Sequence, residues 1–180
     1  KLGDIATIIT GNTPSTLDIR NYGTDFLFVS PTDLGQKKII SHTEKRLSPK
    51  GLKLTRQICK DSILFTCIGS TIGKIGIAGD LLATNQQINA VSCFDNNSYQ
   101  FIYYYLDYIA PRLKRLAGEQ AVPIINKTEF SRTTIIQPIF EEQEKIARFL
   151  SALDEKIEQT KAELEKAKNW KKGLMQRLFV

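Results

Sequence analysis

The apolar positions change rhythm near Pro138. Before it they come in short β-rich runs broken by Gly, Asn and Ser; after it Gly nearly vanishes and Glu, Lys, Ala and Leu dominate. The change predicts an α+β chain: a mixed α/β globular domain over residues 1–140, then a long C-terminal α-helix over residues 141–180. In the first part the runs predict strands at Ile5–Thr10, Asp25–Ser30, Ser62–Ile68, Ile75–Ala78, Ile88–Cys93 and Thr133–Gln137. Between them Ile102, Leu106, Ile109, Leu113 and Leu116 follow one helical face, so Tyr99–Leu116 is predicted as a helix. Pro111 should kink or split it and Gly118 should stop it. Gly11–Tyr22 and Thr32–Lys60 lack strong periodicity and are predicted to be loop-rich, where binding residues concentrate.

The last forty residues carry the clearest pattern. Glu141, Glu142 and Glu144 crowd the first turn, where the helix dipole favours negative charge. From Ile146 the chain steps by four and three through Ile146, Leu150, Leu153, Ile157, Thr160, Leu164, Ala167, Lys171, Leu174 and Leu178, apolar at all but Thr160 and Lys171. A period of about three and a half residues specifies a coiled-coil seam. The small Thr160 and Ala167 permit close approach of a partner helix, and Lys171 at a seam position weakens the contact but can fix register. Glu141 to Phe179 spans about 60 Å at the ideal rise, well beyond a small domain's diameter. Such a seam needs a mate. The alternative is that the helix folds back on its own domain.

The formal net charge of +6 leans mildly toward a polyanionic partner. Residues 141–180 hold 9 basic and 8 acidic residues, leaving 16 and 11 for the globular part, so most of the excess lies there. It gathers in Lys37, Lys38, Lys45, Arg46, Lys50, Lys53, Arg56 and Lys60, opposed only by Glu44, and again in Arg112, Lys114 and Arg115. Such clusters neutralise phosphates, although Arg112–Arg115 also complement a helix C-terminus. Asn85, Gln86 and Gln87 are suited to adenine edges and Arg to guanine, but each also serves as a turn or cap residue. The candidate DNA contacts are Lys37, Lys38, Lys45, Arg46, Lys53, Arg56, Lys74, Gln86, Gln87, Arg112, Lys114 and Arg115.

Catalytic patterns fail one by one. Gly69-Ser70-Thr71-Ile72-Gly73-Lys74 is one residue short of a phosphate-binding loop, and Ile75 replaces the magnesium-binding hydroxyl. The segment reads as strand–turn–strand, with Lys74 a candidate for facing DNA. His42 is the single histidine and builds neither a triad nor a multi-His metal site. The acidic residues lack the pairing that acid–base chemistry uses, and no glycine-rich cofactor fingerprint follows a strand. No cofactor or metal is expected. Cys59, Cys67 and Cys93 sit among β-prone neighbours and read as reduced core residues of a cytoplasmic protein. No run reaches the roughly 20 apolar residues of a membrane span. Lys1 at the start suggests that the sequence begins inside a longer protein.

Leu2-Gly3-Asp4-Ile5, Gly11-Asn12-Thr13-Pro14 and Leu47-Ser48-Pro49-Lys50-Gly51-Leu52 resemble the start of a target-recognition domain in type I restriction–modification specificity subunits. Gly69 to Lys74 with Ile77-Ala78, then Asn85-Gln86-Gln87-Ile88-Asn89-Ala90, is similar to that domain's central signature. Glu142-Gln143-Glu144-Lys145-Ile146-Ala147 and Lys171-Lys172-Gly173-Leu174-Met175-Gln176-Arg177-Leu178-Phe179 resemble the two ends of its conserved helix. The resemblance implies a non-catalytic subunit that reads double-stranded DNA. In that family two recognition domains are held apart by an antiparallel helix pair, each reading half of a bipartite site. Two modification subunits dock on the helices and methylate adenine with S-adenosylmethionine that they bind themselves, and a restriction motor subunit completes the assembly. A single repeat fits a half-subunit, a fragment or a short form that forms a homodimer. Two further readings compete: a coiled-coil interaction protein whose globular head binds another protein, and a small enzyme with an unrecognised site.

Overall fold

The computed structural model describes residues 1–118 and 122–179. In chain order the elements are α1 (Leu2–Ile5), β1 (Ala6–Thr10), β2 (Tyr22–Val29), β3 (Ile39–Ile40), β4 (Lys45–Leu47), α2 (Pro49–Lys53), β5 (Ile63–Thr66), β6 (Ile75–Ala78), β7 (Leu82–Thr84), β8 (Ile88–Cys93), α3 (Tyr99–Leu116), α4 (Lys127–Ser131) and α5 (Phe140–Leu178), with single 3-10 turns at Ile19–Asn21 and Pro31–Asp33.

The strands form two sheets. The larger runs β1-β8-β5-β6-β3 and the smaller β4-β2-β7. In the larger sheet β1, β8, β5 and β6 pair antiparallel in turn, with Thr10 opposite Asn89 and Ile63 opposite Val91. The edge strand β3 is parallel to β6. In the smaller sheet β2 is antiparallel to β4 and parallel to β7.

The alternation of side chains along each strand sorts the interior into layers. Ile63, Phe65, Ile8 and Val91 point to one face of the larger sheet, where α1, α3 and α4 cover them with Leu2, Ile102, Leu106 and Phe130. Leu64, Ile88, Ala90 and Ala78 point to the other face, against Leu27, Val29 and Leu82 of the smaller sheet. The outer face of the smaller sheet packs Phe28 and Ala83 against Leu52 of α2 and Leu47. Phe65 and Phe130 stack with ring centroids 5.0 Å apart; burying such a side chain contributes about 1.5–3 kcal/mol.

The helix caps follow from local chemistry. Ser48 accepts from the Gly51 amide ahead of α2, with Pro49 in the first position. Asn126 and Glu129 form a reciprocal capping box on α4. Ser98 caps α3, which runs unbroken through Pro111 and closes at Gly118 with φ +83. The expected split at Pro111 is absent. Two other expectations fail. Thr133–Gln137 forms no strand: it finds no strand to pair with, although Thr133 O accepts from Leu2 N and Ile135 packs on the core. Cys59 is exposed, whereas Cys67 is buried and Cys93 half-buried; all three are free thiols. The stretch from Thr32 to Lys60 also holds β3, β4 and α2.

Helix α5 is 39 residues long. Only its first turns touch the head. Ile146 and Ala147 enter the helix-side core, and Gln143 is buried at 1% exposure. Beyond Asp154 the side chains are exposed as far as Lys172.

Candidate nucleic-acid interface

Strand register decides which loops meet. Thr10 ends β1 opposite Asn89, Thr66 ends β5 opposite Ile88, and Val29 ends β2 beside Thr84 at the end of β7. The segments that follow β1, β2, β5 and β7 therefore leave from one edge of the two-sheet sandwich. Hydrogen bonds knit them together. Gly11 N donates to Ile88 O, and Cys67 N to Gln87 O. Thr13 Oγ1 donates to Gln86 Oε1 at 2.9 Å. Asn12 Nδ2 donates to Leu54 O, while Asn12 Oδ1 accepts from Arg56 N at 2.8 Å.

Gly11 is required there by close approach. A Cβ on it would lie 2.1 Å from Thr84 Oγ1 and 2.4 Å from Asn85 O. The turn around Gly69, at φ +87, passes Gln87 Nε2 at 3.7 Å from its would-be Cβ. Lys114 reaches the same turn, donating to Ser70 O at 2.9 Å.

Of the twelve predicted DNA contacts, this edge gathers Arg56, Gln86, Gln87 and Lys114. Lys53 immediately precedes Leu54, whose carbonyl holds Asn12. Lys74 opens off the β5–β6 turn and donates to Pro31 O after β2 at 3.2 Å. Lys45 lies opposite Phe28, near the end of β2. Gln86 is exposed, whereas Gln87 is half-buried and accepts from Asn85 Nδ2. The edge also presents Asn12, Thr13 and Ser70, which charge alone does not single out; the turn composition of Gly11-Asn12-Thr13-Pro14 is the signal for the first two and that of Gly69–Lys74 for Ser70.

The remaining candidates lie elsewhere. Arg46 turns back, donating to Asp25 O. Arg112 lines a groove of about 390 Å³ between α3 and the segment around α4, with Arg132 and Glu129, and Arg115 is exposed near the end of α3. Lys37 and Lys38 line a cleft of about 630 Å³ between the head and α5. Lys38 is half-buried and already bonded, to Tyr104 Oη at 2.7 Å and Ser151 Oγ at 2.8 Å. Burial holds its pKa below the usual lysine range, with Asp154 and Glu155 opposing. Lys50, in the same basic stretch, pairs with Asp18 at 2.6 Å.

The seam positions divide likewise. Ile146 packs on the head core, and Leu150 and Leu174 are half-exposed. Leu153, Ile157, Leu164 and Leu178 stand 45–73% exposed, a row of large aliphatics without cover among the described residues. Thr160, Ala167 and Lys171 are exposed along the same stretch. His42 is exposed, and no cluster of metal-ligating side chains occurs among the described residues. No helix among them is long and apolar enough to cross a membrane.

The fold and this edge define a class: a two-sheet head offering amides, hydroxyls and cations from converging loops, mounted on a long amphipathic rod. The chain belongs to the type I restriction modification DNA specificity domain family, whose model matches residues 1–169. It is 31% identical over 184 residues to the type I restriction enzyme MjaIX specificity subunit of Methanocaldococcus jannaschii, covering 94% of this chain and 42% of that protein. It is 34% identical over 142 residues to the HindI specificity subunit of Haemophilus influenzae, covering 76% of this chain and 31% of that one. The chain thus spans less than half the length of the curated relatives it matches. Among solved structures, the HsdS subunit of Thermoanaerobacter tengcongensis aligns with TM-score 0.66 at 20% identity over 87% of this chain and 37% of that one. A chain from a study of complex assembly and conformational transition of the type I R-M system aligns with TM-score 0.72 at 20% identity over 99% of this chain and 42% of that one. These two likenesses concern the fold.

Proposed function

We propose that residues 1–140 read one short half of a bipartite double-stranded DNA site, and that α5 acts as ruler and docking rail. The observation that carries this reading is the convergence of four inter-strand segments on one edge, which holds the Thr13–Gln86 pair, Arg56 bonded to Asn12 and Thr10, Lys114 bonded to Ser70 O and Lys74 bonded to Pro31 O. Cations at such an edge hold phosphates and set register on the duplex. Gln side chains beside them read base edges in the major groove.

The exposed aliphatic row of α5 is the surface for a partner helix, either a second copy or the other repeat of a full subunit. The rod, about 60 Å long, separates two heads by more than one DNA turn of roughly 34 Å. On this reading the chain performs no chemistry. Modification subunits docked on the rod supply S-adenosylmethionine and methyl transfer, a restriction motor subunit supplies cleavage, and the assembly works in the cytoplasm.

Selection of bound duplexes from random DNA, repeated at several salt concentrations, tests the proposal. Enrichment of a short fixed sequence, with log affinity falling linearly against log salt, is the expected result. A head that instead retains protein ligands and enriches no sequence would establish the reading as a coiled-coil interaction protein.

A further inference from the structure

The joint between head and rod contains a polar set that DNA reading does not use. Lys38 precedes β3, and its carbonyl accepts from Ile77 N at 2.7 Å, which fixes its backbone to the larger sheet. Its ammonium donates to Tyr104 Oη of α3 and to Ser151 Oγ of α5. It lies 4.3 Å from the Tyr104 ring centroid and 4.0 Å from Asp154 Oδ2. Tyr104 Oη donates in turn to Asp154 Oδ2 at 2.5 Å. One lysine thus joins the sheet, α3 and α5.

A second tie lies at the base of the rod, where Gln143 bonds Ser98 N and Pro138 O. From Gln143 to Asp154 the helix rises about 16 Å. A rod fixed at one point pivots; fixed at two points along its axis, it has a direction. Apolar contact at Ile146 and Ala147 is non-directional, whereas hydrogen bonds to Ser151 and Asp154 have preferred distances and angles.

We propose that Lys38 is a positioning residue: with Tyr104 it grips Ser151 and Asp154 and sets the angle at which α5 leaves the head. The inference rests on the reading of α5 as a ruler. A tilt of about 10° at Asp154 moves the far end of the helix by about 6 Å, nearly two base-pair steps of ~3.4 Å. The accuracy of the spacing therefore depends on this joint.

The test is an intrachain distance measured by pulsed electron resonance. Spin labels go on the exposed Cys59 of the head and on a cysteine introduced by Lys168→Cys, in a Cys93→Ser background and diluted with unlabelled chain. The parent gives one narrow distance distribution. Lys38→Met keeps the aliphatic stem and removes the ammonium, and it should widen or shift that distribution by about 4 Å for a 10° change, with helix content by circular dichroism unchanged. Tyr104→Phe and Asp154→Asn supply the same readout if Lys38→Met fails to fold. A distribution that stays narrow and centred in the folded variants overturns the proposal. This measurement contains no DNA, so it stands apart from failure of the specificity reading, which would show as absent sequence enrichment by the parent chain.

Discussion

Gln143 Oε1 accepts a hydrogen bond from Ser98 N at 3.0 Å, so one buried amide side chain ties the first turn of α5 to the cap of α3. Its other end donates to Pro138 O at 2.9 Å. Gln143→Leu keeps the volume but leaves the Ser98 amide buried without a partner, a loss of about 1–3 kcal/mol. Thermal unfolding followed at 222 nm should show a midpoint lowered by several degrees; an unchanged midpoint would refute this account of the joint.

The edge proposed to read DNA depends on the missing side chain of Gly11. Gly11→Ala forces its methyl against Thr84 Oγ1 and Asn85 O. Overpacking of this kind costs about 1–3 kcal/mol, and here it also displaces the segment that carries Asn85, Gln86 and Gln87. Chemical denaturation should report the lost stability, and DNA binding should weaken by more than the fraction unfolded explains.

Charge and sequence readout should separate by mutation. Arg56→Ala and Lys114→Ala should each lower the slope of log affinity against log salt by about 1 and weaken binding to all duplexes alike. Gln86→Ala should leave the slope in place and relax the preferred base at one position. Fluorescence anisotropy titrations at several salt concentrations distinguish the two effects, and a Gln86→Ala variant with the parent's selected sequence would remove Gln86 from the contact set.

Thiol chemistry provides a check independent of DNA. Burial pushes Cys67 and Cys93 up to about 12, so both stay protonated near neutral pH. The thiolate is the nucleophile, so alkylation of the folded chain should mark Cys59 and spare the other two until denaturant is added, as peptide mass mapping would show. The raised values also give a sign. Above the ordinary thiol value of 9.0 the unfolded chain releases protons that the folded chain retains, so stability falls as pH climbs from there toward 12. The half-buried phenols of Tyr103 and Tyr104, raised chiefly by partial desolvation, act in the same direction.

Deleting Lys161–Ala167 removes one heptad and keeps the seam in phase. The rod shortens by about 10 Å, or three base-pair steps of ~3.4 Å. Site selection with the paired molecule should return the same half-sites with a different spacer; an unaltered spacer would dismiss the ruler.

Much of this architecture was legible in the chain because it is local. The strands at Ile5–Thr10, Asp25–Ser30, Ser62–Ile68, Ile75–Ala78 and Ile88–Cys93 overlap β1, β2, β5, β6 and β8, and the periodic helices coincide with α3 and α5. What escaped depends on distant partners. Leu82–Thr84 is too short to show alternation and becomes a strand by lying beside β2. Thr133–Gln137 has β-branched residues but no neighbouring strand. The same limit applies to the candidate site. Composition groups Lys38 with Arg56, yet one is bonded to Tyr104 and the other lies beside Asn12. Only the register of the strands brings Thr13 to Gln86, 73 positions away.

The layering of the head separates the seat of the rod from the loop edge. The core that seats α5 is built from Leu2, Phe65, Ile102, Phe130 and Ala147, while the segments at 11–13, 54–56 and 85–87 contribute nothing to it. Altered side chains at Asn12, Thr13 or Gln86 therefore leave the seat of the rod untouched, whereas Gly11 has no room for one.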